Sequence, residues 1–299
     1  MSNLAQRVAV AVVAVPVIYL LCMAGGLYFF VFVAAASALA LREFYALAEA
    51  KGARPLVTLG LVAGFFVNLS FLRHAPIAPQ PLAVVLPVAI VVLSIGELLY
   101  NRGSAVLNLS TTVFGMLYVS LFFGTFVGIR EIFAPATFPV ARYFASAAGP
   151  GGVAPEVAAQ IYQWGGAMVM AVFVTIWVCD SAAFHVGSAF GAHKLFPRVS
   201  PRKSWEGAAA GFASAILTAM AAKYLALGFL PLKGALVVGT VVGTVGQMGD
   251  LVESLMKRDA GVKDSSAMIP GHGGVFDRFD SVLLVAPCVY VYLERVLFA

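Results

Sequence analysis

Apolar residues run along this chain in long blocks separated by short polar breaks. Nine blocks are long enough, or nearly so, to cross about 30 Å of hydrocarbon as helices. They cover residues 7–23, 26–41, 56–72, 82–99, 106–130, 164–190, 208–230, 234–256 and 281–298. Within the blocks apolar and polar positions do not alternate, so the strands of a closed barrel are excluded. The first two blocks are short and predict a hairpin turning at Gly25 and Gly26. Residues 206–256 divide into two helices. Arg7 and the apolar run to about Met23 resemble a signal peptide, but no small-x-small cleavage site follows and a second block begins almost at once. That run is therefore read as a retained first span. The pattern predicts an all-α polytopic integral membrane protein of about nine transmembrane helices.

Composition strengthens this picture. Hydrophobic residues make up 61% of the 299 and charged ones only 11%, with a mean hydropathy of +0.94. A soluble domain carries about 25% charged residues, so this chain cannot cover a water-facing surface. The net charge of +5 would suggest nucleic acid on a soluble protein. Here it reads as positive-inside bias, and no nucleic-acid partner is expected. With the N-terminus placed in the cytoplasm, 13 Lys and Arg fall in cytoplasmic segments and 5 outside, which supports nine spans with the N-terminus inside and the C-terminus outside. Cys22, Cys179 and Cys288 all lie in apolar runs and read as small buried hydrophobes.

Charge divides the chain in two. Only Glu43, Glu49, Glu97 and Glu131 are acidic before residue 150, whereas eight acids fall between 180 and 280. The external segment 131–163, with Gly149-Pro150-Gly151-Gly152, reads as a flexible loop. It separates an N-terminal helical region, 1–150, from a C-terminal region, 151–299. The latter holds the charge-dense cytoplasmic loops 191–207 and 257–280.

Three groups could carry chemistry. Asp250, Glu253, Ser254 and Lys257 share one helical face at i, i+3, i+4 and i+7. An ionised acid inside a span costs about 2.5–3.5 kcal/mol and needs a partner or a purpose. Glu253 with Lys257 could be a plain i,i+4 ion pair, but Asp250 has no local basic partner. The second group is Lys257, Arg258, Lys263, Asp264 and the run Pro270-Gly271-His272-Gly273-Gly274-Val275-Phe276-Asp277-Arg278-Phe279-Asp280. Its glycines let backbone N–H groups approach an anion, its bases supply charge, and Asp277 and Asp280 offer hard oxygens suited to Mg²⁺. Asp280 could equally be the N-cap of the last helix, and the bases could be ordinary interfacial anchors. The third group is Asp180, a second in-membrane acid, with Ser200, Arg202, Lys203 and Ser204 in a loop able to hold a phosphate. That loop could also simply lie beside anionic headgroups. Trp205 suits the interface. Walker A, zinc-type and Rossmann patterns are absent from the sequence.

The stretch from Ser254 to Asp280 resembles the signature of the phosphatidate cytidylyltransferases, the CDP-diacylglycerol synthases, at every position. The resemblance extends to Gly249-Asp250-Leu251-Val252-Glu253, to Ser200–Gly207 and to Arg42-Glu43-Phe44-Tyr45. Ser181, Phe184, Ser188, Arg202 and Ser204 depart from the residues usual there. The resemblance implies an all-helical enzyme of the cytoplasmic membrane that faces the cytoplasm and forms a homodimer. It would join CTP and phosphatidate into CDP-diacylglycerol and pyrophosphate. It further implies Mg²⁺, with or without a monovalent cation such as K⁺, held by Asp250 and Asp277, with Asp280 a third candidate. Lys257, Lys263, His272 and Arg278 would act on the phosphates. Asp180, Ser200, Arg202, Lys203, Ser204, Glu253, Ser254, Arg258, Asp264, Gly273 and Gly274 would line the substrates. Two other readings stay open: a CTP-dependent kinase of a polyprenol-type lipid, and an ion-coupled transporter.

Overall fold

The computed structural model describes residues 3–73, 81–144, 148–149, 152–269, 271 and 273–298. Each of the nine apolar blocks falls on helix. In chain order these are α1 (Asn3–Ala24), α2 (Gly26–Ala50), α3 (Val57–Leu69), α4 (Leu82–Tyr100), α5 (Ala105–Gly115) continuing through a π-turn (Met116–Leu121) into α6 (Phe122–Glu131), the short α7 (Val140–Tyr143), α8 (Pro155–Phe190), α9 (Trp205–Leu225), α10 (Leu232–Val241) continuing through a π-turn (Val242–Gly246) into α11 (Gln247–Asp259), and α12 (Phe276–Tyr292), which ends in a third π-turn (Leu293–Leu297). The strands are two short antiparallel pairs, β1 (Ala148–Gly149) with β2 (Gly152–Val153) and β3 (Lys194–Phe196) with β4 (Ser200–Ser204). Among the described residues, six helices are long and apolar enough to cross a membrane. The protein is an all-α multi-pass membrane protein.

The expected hairpin between the first two blocks is present, with Gly25 and Gly26 both at positive φ. The split of 206–256 also holds, because α9 ends at Leu225 and α10 starts at Leu232.

Four expectations are corrected. The segment 131–163 is not all loop, since α8 begins at Pro155. Proline suits the first turn of a helix, where its missing N–H costs nothing, and Glu156 complements the dipole there. Second, the loop 191–207 is a bulged β-hairpin running straight into α9. Third, α12 starts at Phe276, so Asp280 lies in its second turn and is not its N-cap. Fourth, Cys22 and Cys179 are buried but Cys288 is exposed. In lipid an apolar side chain gains nothing by turning inward, so an apolar run does not by itself report burial in protein.

The core sits where α2, α6, α8 and α12 meet. Phe126 packs edge-on against Phe173 with ring centroids 4.9 Å apart, and Phe123 meets Phe279 at 5.2 Å. Without a hydrophobic drive between helices in lipid, close packing must hold them together. Gly249 supplies this at the crossing of α11 and α12. A Cβ there would come within 2.6 Å of the Asp280 carbonyl oxygen. The absent side chain lets the polar face of α11 lie directly on the first turns of α12.

Candidate active site at the meeting of four helices

The face of α11 bearing Asp250, Glu253, Ser254 and Lys257 points at α12, and the acids of the two helices interleave. One oxygen from each of Asp250, Glu253 and Asp280 lies within 4.8 Å of the others. Lys257 bridges: its Nζ donates to Asp277 Oδ1 and forms an ion pair with Glu253 Oε2, both at 2.8 Å. So the i,i+4 pair foreseen in the sequence is real, and it extends to a second helix. Ser254 Oγ donates to Asp250 Oδ1 at 3.3 Å.

Asp250 does have a basic partner, but a distant one. Lys203 Nζ, on β4, sits 2.7 Å from Asp250 Oδ2. The hairpin therefore reaches α11, at the same end of the bundle as the start of α12. Asp180, near the end of α8, faces the same cluster, within electrostatic reach of Asp250, Lys203 and Arg278.

The glycine-rich segment holds Asp277 on every side. Gly274 N–H donates to Asp277 Oδ2 at 2.8 Å, and Ser265 N–H lies 3.2 and 3.0 Å from its two oxygens. With Lys257 added, Asp277 is engaged throughout and only 3% of its side chain is exposed. Asp280 is engaged less, receiving Ser281 N–H at 2.6 Å.

The remaining expected residues divide. Arg202, Lys263, Asp264 and Arg278 are exposed at this end. Arg258 is exposed too, and donates locally to the Val262 carbonyl at 3.1 Å. Ser200 and Gly273 are half-buried. Ser204 is buried, and its Oγ accepts Gly207 N–H as the N-cap of α9. His272 lies outside the described residues.

The structure adds residues that the pattern did not single out. Tyr118, on the π-turn after α5, is buried within electrostatic reach of Asp280 and Glu253. Among the described residues no hydrogen-bond partner meets its hydroxyl, Ser281 Oγ or Glu253 Oε1. Nothing in the sequence around Tyr118 marks it, because an aromatic in an apolar run looks like core. Ser265 and Ser266 lie inside the signature, and their donors were discoverable there. Buried Glu43 of α2 also reaches this segment.

Five carboxylates (Asp180, Asp250, Glu253, Asp277, Asp280) thus stand against three cations (Lys203, Lys257, Arg278). Formally two negative charges are left over. Hard oxygens, orphaned buried polar atoms and that residual charge together suit a divalent cation.

Comparisons with known proteins agree with the chain's organisation. The model of the cytidylyltransferase family matches residues 5–296. The phosphatidate cytidylyltransferase of Synechocystis is 31% identical over 295 residues, covering 98% of this chain and 97% of that one. The phosphatidate cytidylyltransferases of Haemophilus influenzae and Bacillus subtilis are 41% and 42% identical over 124 and 131 residues. Those two matches take in 40% and 44% of this chain and 43% and 49% of theirs.

Proposed function

The chain belongs to the cytidylyltransferase family, and from that premise we propose that it transfers the cytidylyl group of CTP to phosphatidate, releasing pyrophosphate. The observation that carries this reading is the convergence of α11, α12 and β4, where Lys257 pairs with Asp277 and Lys203 with Asp250. It gathers Lys203, Lys257 and Arg278 around a carboxylate cluster at one end of the helices. A pore has no use for that arrangement.

The chemistry follows from charge. A phosphate oxygen of phosphatidate attacks the α-phosphorus of CTP, a new P–O bond forms, the α–β bond breaks and pyrophosphate leaves. Both partners are anions, so the reaction needs positive charge placed in advance where charge develops. No general base is required, because the attacking phosphate is already ionised. Asp250 and Asp280 would hold Mg²⁺, with Glu253 beside them, in place of the Asp250–Asp277 pair expected from the sequence, because the Asp277 oxygens already meet Lys257, Ser265 and Gly274. When bound, the ion would supply a Lewis acid for the triphosphate oxygens. Lys257 fixes Glu253 and Asp277 in place. Lys203 and Arg278 are positioned to meet phosphate oxygens, and Arg202, Lys263 and Arg258 extend the positive rim. Lipid tails would stay between helices while CTP arrives from water.

The same reading gives nine crossings with the N-terminus and the site in the cytoplasm, in the cytoplasmic membrane, and the 13-to-5 distribution of Lys and Arg supports that orientation. It also gives a C-terminal catalytic region on an N-terminal helical one, and a homodimer.

The test uses detergent-purified protein, phosphatidate, Mg²⁺ and CTP labelled at the α- or the γ-phosphate. Cytidylyl transfer puts the α-label in the lipid phase and the γ-label in pyrophosphate. A lipid kinase would put the γ-label in the lipid, and a transporter would leave both in CTP.

A further inference from the structure

Glu43 lies 4% exposed on α2, a helix that contributes nothing else to the carboxylate cluster. It is a carboxylate in the N-terminal half, more than two hundred positions from the signature. Yet all four of its nearest polar partners belong to that signature. Ser266 Oγ and Val275 N–H donate to Oε1 at 2.6 and 3.1 Å. Ser265 Oγ and Phe276 N–H donate to Oε2 at 2.9 and 2.7 Å.

Two features show that this is a fitted site. The N-cap residue of α12 is Val275, which has no side-chain acceptor to offer the unsatisfied N–H groups of the first turn. Glu43 supplies that acceptor from another helix, and its negative charge stands at the positive end of the α12 dipole. The second feature is Gly274. A Cβ there would collide with Ser265 Oγ and the Glu43 carboxylate. The glycine is needed because the carboxylate lies against the backbone, a different reason from approach to a substrate phosphate.

We propose that Glu43 is a positioning residue for the reaction. It clamps Ser265, Ser266, Val275 and Phe276 so that the Ser265 and Gly274 amides are aimed at Asp277, and Asp277 in turn at Lys257. All four partners are donors, so the site demands an acceptor on both oxygens. Glutamine keeps the shape but turns an N–H₂ group against two donors. Hydrogen bonds to a charged group are stronger than neutral ones, so losing them is felt directly. The proposal rests on the cytidylyltransferase reading for its kinetic part, and on geometry alone for its structural part.

The experiment takes the full-length protein in detergent as wild type, E43Q, E43D and S265A/S266A. It measures the thermal midpoint, kcat and KM for CTP and phosphatidate per folded molecule, and amide hydrogen exchange across 262–277. In E43Q, kcat should fall about 10–100-fold, the loss of one such bond. KM for phosphatidate should hold, and exchange at Ser265, Val275 and Phe276 should rise while exchange in α8 and α9 does not. E43D, which keeps the charge, should recover part of kcat. S265A/S266A removes two donors without stranding a charge, and should lower kcat several-fold in the same direction. The proposal is overturned by wild-type kcat per folded molecule in E43Q, by an E43D no better than E43Q, or by unchanged exchange across 262–277. If E43Q fails to fold, wild-type kcat in S265A/S266A overturns it. If the wild type itself does not load the lipid with cytidylyl label, the functional reading fails, while the exchange result still decides whether Glu43 is the clamp.

Discussion

Two buried polar systems occupy the two halves of this molecule, and they are built differently. In the N-terminal half, Asn68 Nδ2 donates to Ser37 Oγ at 2.9 Å, and Ser37 donates to Ser120 Oγ at 3.2 Å. Nearby, Asn108 bridges the Arg54 amide at 2.7 Å, Glu97 at 2.8 Å and the Arg102 carbonyl at 3.0 Å, while Tyr45 and Thr112 link to the same strip of backbone. Most members are neutral, and the bonds join helices to one another, to their own turns or to the loops at Arg54 and Arg102. The C-terminal system is made of charges and is wet at one side through Lys203 and Asp250; buried oxygens without a hydrogen-bond partner occur in both, Asn68 Oδ1 and Glu97 Oε2 in the first and Glu253 Oε1 and Ser281 Oγ in the second. A membrane core tolerates buried polar groups in either form. The neutral form fixes helices against one another. The charged form stands open to water on one side and gathers cations beside carboxylates, which is what a site for two anionic substrates requires.

The sharpest way to break the comparison is to remove charge from the open system. Asp250→Asn and Asp280→Asn should each lower cytidylyl transfer by about a thousandfold or more, as expected when preorganised charge at the reacting phosphates is lost. Elution on size exclusion should be unchanged, because neither carboxylate is fully enclosed by protein donors. Near-normal turnover in either would show that the carboxylate cluster is not the metal site. Lys257→Met comes next and acts differently. It strands Glu253 and Asp277 without their shared cation in a site where Lys257 is only 11% exposed. Breaking a buried pair this way costs about 3–5 kcal/mol. The thermal midpoint should drop markedly along with activity, and a midpoint within a degree or two of wild type would contradict the buried-bridge description.

How much of this was legible beforehand follows the range of the interactions. The blocks of apolar residues gave the helices because helical hydrogen bonds are local and lipid demands continuous apolar runs. The face shared by Asp250, Glu253 and Lys257 was legible for the same reason. The segment 254–280 stood out by its mix of glycines, bases and acids. What stayed hidden was every contact between distant elements. Asp250 looked unpartnered because Lys203 is 47 positions away in sequence and meets it only once the hairpin reaches α11. Asp280 looked like a helix cap because nothing local marks the start of α12 at Phe276, whose first turn is held by Glu43. Cys288 looked buried because apolar runs do not say which face meets lipid.

That hidden Lys203 contact gives a smaller and more selective effect. Its side chain is 26% exposed and that of Asp250 35%, so water screens the pair and the fold does not depend on it. Lys203→Ala should leave the thermal midpoint near wild type. It should raise KM for CTP about tenfold, the loss of one cation at a phosphate. The substitution should also flatten the salt dependence of KM. An unchanged KM would mean that the hairpin closes the site without touching the nucleotide.

The smallest expected effect on turnover is the one that tests the other half. Asn108→Ala removes the centre of the neutral system, leaving the Arg54 amide and the buried Glu97 carboxylate short of partners. Stranding buried groups costs about 1–3 kcal/mol, so the thermal midpoint should fall. Asn108 touches none of the charged cluster, and sites without shared partners add nearly independently. The kcat per folded molecule should therefore stay within about twofold of wild type. If kcat instead falls as it does for E43Q, the two halves are coupled through α2, where Tyr45, hydrogen-bonded to the Thr112 carbonyl, lies two residues from Glu43. Polar closure in the first half would then be part of how the second half holds its charges.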